Sequence, residues 1–404
     1  MANVVVTGMG VLSTAGKTPT EFWNCLFNGT ITYREIKEYV NNKNYRYHVG
    51  AKIEDYSWYD CLNTKWTSFY GKASQYVLYT ASEALKDAEI SKGTIKENRI
   101  GVVIGSTMGE IDVEEKISRT CYQKEPVNTK LLRQYQSDNI SMCIRELLPV
   151  SGPVFMVPAA CASGNYAVAL GKLLIDSDRA DVVIAGGVDV FSKVAFTGFQ
   201  RLLSLSPDVC KPFDKNRKGL ILGEGCGIVI LENKSHAKAR GKNYWGEVLS
   251  CGLSSDGYHM TAPHPEGIGT INSIKSALNQ ADITPDKVDY ISAHGTGTPA
   301  NDKYEAMAIR KIFKDYQLPP ISSIKSMLGH SLGAASALEM IASLLMMINN
   351  WILPTVNVTE EDPECGIDCV PMIGRKAKLQ YVLSNSAAFG GQISSLLLKR
   401  GNKV

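Results

Sequence analysis

Residues 160–175 read ACASGNYAVALGKLLI, a turn of small residues feeding a helix with no charge before Lys172. Residues 328–347 repeat the plan as LGHSLGAASALEMIASLLMM, whose one charge is Glu339. Helices that are apolar nearly all round belong inside a protein, so both are expected to be buried at its centre. Outward from them lie short apolar runs that end in glycine or small residues: Val4–Gly10, Gly101–Ser106, Asp181–Gly187, Gly227–Glu232, Val288–His294, Tyr381–Asn385 and Ser394–Lys399. Unbroken apolar runs of this length fit strands covered on both faces. Ala73–Ala88 carries apolar residues at helical spacing. The alternation predicts an α/β fold with a largely parallel sheet. The repeated turn-and-helix predicts two similar halves, residues 1–240 and 241–404.

Composition narrows the function. With 44% hydrophobic and 21% charged residues over 404 positions, wholesale disorder is excluded. Forty-three basic against 40 acidic side chains leave +3, which gives no footprint for nucleic acid. A few lysines still suffice to dock an acidic partner. The 10 cysteines lack a framework spacing and read as free thiols. Cys365 and Cys369, in CGIDC, have no second pair to complete a zinc site, and no metal is expected. Gly8-x-Gly10 is followed by Ser13 where a dinucleotide loop needs a third glycine. The start MANVVVTGMG has neither a basic region nor a cleavage signal. The apolar run Ala337–Ile348 falls short of the ~20 residues that span a bilayer. A cytoplasmic protein without a membrane contact is expected.

Four motifs carry chemistry. Cys161 follows an extended segment and precedes an apolar helix, where unpaired N–H groups favour a thiolate. His294 opens HGTGTPAND after the run VDYISA, at a strand end where α/β sheets place their sites. His330 stands at the entry to the second buried helix, five residues after Lys325. Lys325 and Glu339 are costly to bury separately, so a buried pair is expected. Asn385–Gly391, NSAAFGG, offers backbone donors and an aromatic plug in Phe389. Taken singly, each fits a packed cysteine, a structural histidine or a plain turn equally well.

Taken together, in this chain order, they resemble the β-ketoacyl synthases, the decarboxylative condensing enzymes of fatty-acid and polyketide assembly. The resemblance runs nearly end to end, through VVVTGMGVLSTAG, ACASG, KPFDKNRKGLILGEGCGIVILE, DGYHMTAP, AHGTGTPAND, SIKSMLGHSLGAAS and SNSAAFGG. It implies a thiolase fold of five alternating α and β layers (αβαβα), as a homodimer or as a heterodimer with a chain-length-factor-like subunit. It implies Cys161 as the acylated nucleophile, with His294 and His330 assisting malonyl decarboxylation and Lys325 supporting them electrostatically. Glu339 and Asp302 would complete the network, and Thr296 and Thr298 would hold the phosphopantetheine arm. Phe389 would gate the site, its N–H joining that of Cys161 in the oxyanion hole, and Met108 would line the acyl pocket. No resident cofactor is implied, because phosphopantetheine arrives on acyl carrier protein. A non-condensing acyltransferase or decarboxylase, and a silent chain-length subunit, are the alternatives; the latter usually lacks the cysteine.

The chain departs from the family pattern in places. Ala159 stands where relatives have Thr, Lys218 where Asp follows the central Arg, Ala387–Ala388 where Phe-Gly precedes the gate, and Gln392–Ile393 where Thr-Asn follows it. Alanine in place of glycine stiffens a loop, which predicts a gate that moves differently. The arginine pair often used to dock the carrier is missing, and only Lys65 and Lys72 lie nearby, which argues against the usual carrier. These differences favour a specialised pathway.

Overall fold

A computed structural model describes residues 3–40, 42–62 and 68–403. Its framework is a ten-stranded sheet whose strands in chain order are β1 (Val4–Ser13), β2 (Ile100–Gly105), β3 (Val154–Val157), β4 (Val182–Asp189), β5 (Gly225–Asn233), β6 (Gly246–Ser255), β7 (Tyr290–Ser292), β8 (Ile321–Ser322), β9 (Tyr381–Ala387) and β10 (Gln392–Arg400). The spatial order is β3-β2-β4-β5-β1 followed by β6-β10-β9-β7-β8. Read outward from the middle, each five-strand set follows one plan. Its second strand lies parallel between the third and fourth, and its fifth lies antiparallel between the fourth and first. The sets meet where β1 and β6 run antiparallel, Val4 opposite Val248 and Val6 opposite Gly246.

The helices that build the core and the site are α1 (Lys72–Ala88), α2 (Ser163–Asp176), α3 (Lys193–Arg201), α4 (Ile268–Ala281), α5 (Pro299–Ile312) and α6 (Ala335–Asn349). α2 and α6, the two apolar helices of the sequence, pack on each other between the strand sets. Close packing explains the glycines of β1. A Cβ at Gly10 would sit 2.0 Å from the Thr80 carbonyl oxygen of α1, and Gly8 is equally crowded by Ala84. The same device recurs in the second set, where a Cβ at Gly252 of β6 would stand 1.9 Å from the Ser273 carbonyl oxygen of α4. Only a bare backbone allows that approach.

With its lead-in turn, α6 runs Leu332–Asn349, 18 residues, longer than the apolar run read from the sequence. It is long and apolar enough to cross a membrane, but 89% of it is buried inside this fold, as a core helix is. Cys365 and Cys369 are likewise buried, in the apolar cluster that holds Ile309 and Phe313.

Candidate active site

Cys161 sits in a tight turn, Ala160–Ala162, between β3 and α2. Ala160 takes φ 46°, a left-handed conformation that costs a non-glycine residue free energy. Ser163 braces the turn: its hydroxyl donates to the Ala160 carbonyl (2.6 Å) and accepts the Ala159 N–H (2.9 Å). The Ser386 hydroxyl of β9 donates to the Cys161 carbonyl at 3.2 Å, tying the turn to the second strand set.

His294 lies just past β7, and α5 holds its loop by carboxylates. Glu305 accepts the N–H groups of His294 (2.7 Å) and Gly295 (2.9 Å). Asp302 accepts those of Thr296 (3.0 Å) and Gly297 (3.1 Å), and also that of Phe213 (2.9 Å). The Thr296 and Thr298 hydroxyls are 2.8 Å apart. His330 is fixed by its own backbone, donating to the Ile221 carbonyl (2.6 Å) and accepting from Gly223 N–H (2.9 Å). The rings of His294 and His330 meet edge to face, 5.3 Å between centroids and 82° between planes. Lys325 lies behind them, fully buried and paired with Glu339; its ammonium also donates to the His294 carbonyl at 2.6 Å and stands 3.5 Å from His294 Nδ1.

Cys161, His294, His330, Thr296, Thr298 and Phe389 open on one cavity of about 290 Å³. Lys325, Glu339 and Asp302 form its buried backing. Phe389 leans on Phe199, ring centroids 5.8 Å apart. Its loop is held across the mouth by two backbone bonds, Gly390 N–H to the Met260 carbonyl (2.8 Å) and Asp256 N–H to the Gly391 carbonyl (2.9 Å). Met108 is not among the residues that line this cavity. Its N–H and that of Thr107 are given to buried Asp189 (2.9 Å each), and its half-buried side chain joins two apolar clusters instead.

Electrostatics correct one sequence expectation. The helix start beneath Cys161 is present, yet burial pushes the thiol up to about 12, with the Lys325 charge pulling the other way. Desolvation outweighs the helix terminus, so the resting sulfur is a thiol. Burial, reinforced by Lys325, holds His294 and His330 well below the usual imidazole range. Both rings are neutral at pH 7. Burial lifts Glu339 and Glu305 to about 7, against the pull of Lys325 on the first and of two backbone N–H groups on the second.

Two supports went unread in the sequence. Glu305 was legible as the partner of Asp302 at i+3 on one face of α5, beside the histidine loop. Asp189 had no such signal; it gathers Ser106, Thr107, Met108 and Gly333 from separate segments. Of the two lysines near the position of the missing arginine pair, Lys65 lies outside the described residues. Lys72 is committed elsewhere, its ammonium 3.0 Å from buried Glu224 and over the Tyr76 ring.

Fold and site define a class: an α/β protein of two like strand sets, with a cysteine and two neutral imidazoles sharing one cavity between them. The chain belongs to the β-ketoacyl synthase family. Residues 1–237 match the family's N-terminal domain and residues 245–359 its C-terminal domain. The chain is 33% identical over 406 residues to 3-oxoacyl-[acyl-carrier-protein] synthase 2 of Staphylococcus aureus (strain COL), covering 98% of each. It is 35% identical over 403 residues to nodulation protein E of Rhizobium meliloti (strain 1021), covering 98% of this chain and 99% of that one. Among solved structures it superposes on the ishigamide ketosynthase/chain length factor with a TM-score of 0.94 at 35% identity, over 99% of both chains. The fold is thus the thiolase fold, and the protein is an enzyme of the β-ketoacyl synthase class.

Proposed function

We propose that the protein condenses a Cys161-bound acyl group with a malonyl thioester carried by acyl carrier protein, giving a β-ketoacyl thioester. The observation that carries this reading is the pair of neutral imidazoles, 5.3 Å apart, in the same cavity as the buried thiol. In the first half-reaction Cys161 sulfur attacks the carrier thioester. The new S–C bond forms as the pantetheine C–S bond breaks, and the thiol proton passes by way of a neutral imidazole to the leaving sulfur. In the second, malonyl loses CO₂, and the bonding electrons move into an enolate. Hydrogen bonds from His294 and His330 stabilise its oxygen. The enolate carbon then attacks the acyl carbonyl on Cys161, whose oxyanion is held by the N–H groups of Cys161 and Phe389; the C–S bond breaks, and the departing thiolate takes a proton from water by way of an imidazole.

Lys325, paired with Glu339, reinforces the burial that keeps both rings neutral and holds the His294 carbonyl. Thr296 and Thr298 hold the phosphopantetheine arm, which is part of the substrate and not a resident cofactor, and no step needs a metal. Asp302 sets the loop that carries the threonines. The name of the Staphylococcus aureus synthase supports acyl carrier protein as partner, and the ishigamide ketosynthase/chain length factor supports pairing with a chain-length-factor-like subunit, a homodimer being the alternative. The departures at Ala387–Ala388 and Gln392–Ile393 favour a specialised polyketide or fatty-acid-like pathway, in the cytoplasm. Intact-mass analysis against a panel of acyl carriers tests the reading: acylation is expected on wild type and not on Cys161→Ala. Loading of Cys161→Ala would overturn it.

A further inference from the structure

The two helix entries that carry reactive side chains share one spacing. Gly164 lies three residues after Cys161, and Gly333 three residues after His330. Both close on Gly187 of β4. A Cβ there would stand 2.2 Å from the Gly333 carbonyl oxygen and 3.1 Å from the Gly164 Cα. Three bare backbones thus meet where the turn of Cys161 and the turn of His330 come together. The fourth strand of each set then reaches across to the other half. Ser386 of β9 holds the Cys161 carbonyl, and Asp189, which ends β4, accepts the Gly333 N–H at 2.6 Å.

Asp189 is fully buried and pairs with no cation among the described residues. Its Oδ2 also accepts the Thr107 N–H, and its Oδ1 accepts the Met108 N–H and the Ser106 hydroxyl, each at 2.9 Å. A buried carboxylate without a counter-ion is a costly route to stability alone. Its distinctive effect is geometric. Between His330 and Gly333, Leu332 is kept at φ 51°, a left-handed conformation that persists only where the surroundings impose it. Resting on the two-imidazole condensation of the proposed function, we propose that Asp189 is a positioning residue for its second half-reaction, fixing the turn of His330 against that of Cys161 through Gly333. Acylation needs one imidazole, whereas the enolate needs both, so the two half-reactions respond differently to its loss.

The test separates those half-reactions in Asp189→Ala and Asp189→Asn. Intact mass counts the protein acylated by an acyl carrier, and condensation with malonyl carrier is expressed per acylated Cys161, so unfolded protein does not enter the rate. In Asp189→Ala, acylation is expected within about twofold of wild type and kcat for condensation about 100-fold lower, with KM for malonyl carrier little changed. Asp189→Asn can keep its oxygen on Gly333 while its amide donates to the Ser106 hydroxyl, and is expected to recover condensation to within about tenfold of wild type. Equal losses of acylation and condensation in Asp189→Ala, wild-type condensation by it, or an Asn variant no better than Ala would overturn the positioning role and leave the condensation reading intact. Amide exchange in wild type decides the matter if neither variant folds. The Met108 and Gly333 N–H groups are expected to exchange slowly and together, and free exchange at Gly333 would overturn the role. Wild type that loaded but formed no product would instead remove the condensation reading itself.

Discussion

At the scale of single residues, the buried thiol and the buried lysine make opposite demands on their surroundings. Cys161 is desolvated enough to keep its proton, so its reactivity must wait for a base. Alkylation of the resting enzyme by iodoacetamide, followed by residual activity, should be slow at neutral pH and climb without a plateau up to pH ~9, since the titration midpoint lies above that range. A plateau reached near neutrality would mean that the helix terminus, not desolvation, sets the sulfur. Lys325 is buried with Glu339 beside it as its partner. Lys325→Met should cost about 3–5 kcal/mol by stranding Glu339, read as the midpoint of urea unfolding. Lys325→Met/Glu339→Leu should recover most of that loss without recovering condensation, and a double variant as unstable as the single would show that the pair is not coupled. The sequence made this pair legible, because two charges in otherwise apolar segments have few ways to be satisfied. The thiol's ionisation was not legible: burial depth depends on segments far apart in the chain.

The elements show the same division. Seven strands were visible as apolar runs, and each forms. β3, β6 and β8 were missed for separate reasons. β3 is an edge strand, half exposed; β6, GEVLSCGLSS, is interrupted by glycine and serine; β8 is two residues long. α5 matters most to the site, since one face of it delivers Glu305 and Asp302 to the loop of His294 and the threonines. Glu305→Ala strands two buried N–H groups, a loss of about 1–3 kcal/mol each, and should lower both the melting temperature and kcat. Glu305→Gln keeps an acceptor and should lie between. Wild-type kcat in Glu305→Ala would show that the loop holds without the clamp. At the gate, Ala387 and Ala388 lie next to a loop bonded at Gly390 and Gly391 to the turn after β6. Exchanging them for Phe-Gly should shift the range of acyl lengths accepted in a competition assay, and an identical profile would remove the gate from the account of specificity.

Across the whole molecule, the repeated strand plan leaves two sheet edges, β3 and β8, one in each half. β3 presents Phe155 38% exposed on a short strand with a free edge. Such an edge invites another chain. Sedimentation should therefore give a dimer for wild type, with a like or unlike partner, and a monomer for Phe155→Asp; a monomeric wild type would place the partner contact elsewhere. The central claim concerns what sits between the halves, one sulfur brought from the first and two neutral imidazoles from the second. Its most direct measurement is intact-mass analysis of His294→Ala and His330→Ala, loaded with an acyl thioester and then given malonyl carrier, with released CO₂ and β-ketoacyl product followed together. Both variants are predicted to carry the acyl group on Cys161 and to form no condensation product. Full product from either, or acylation at a residue other than Cys161, would contradict the account.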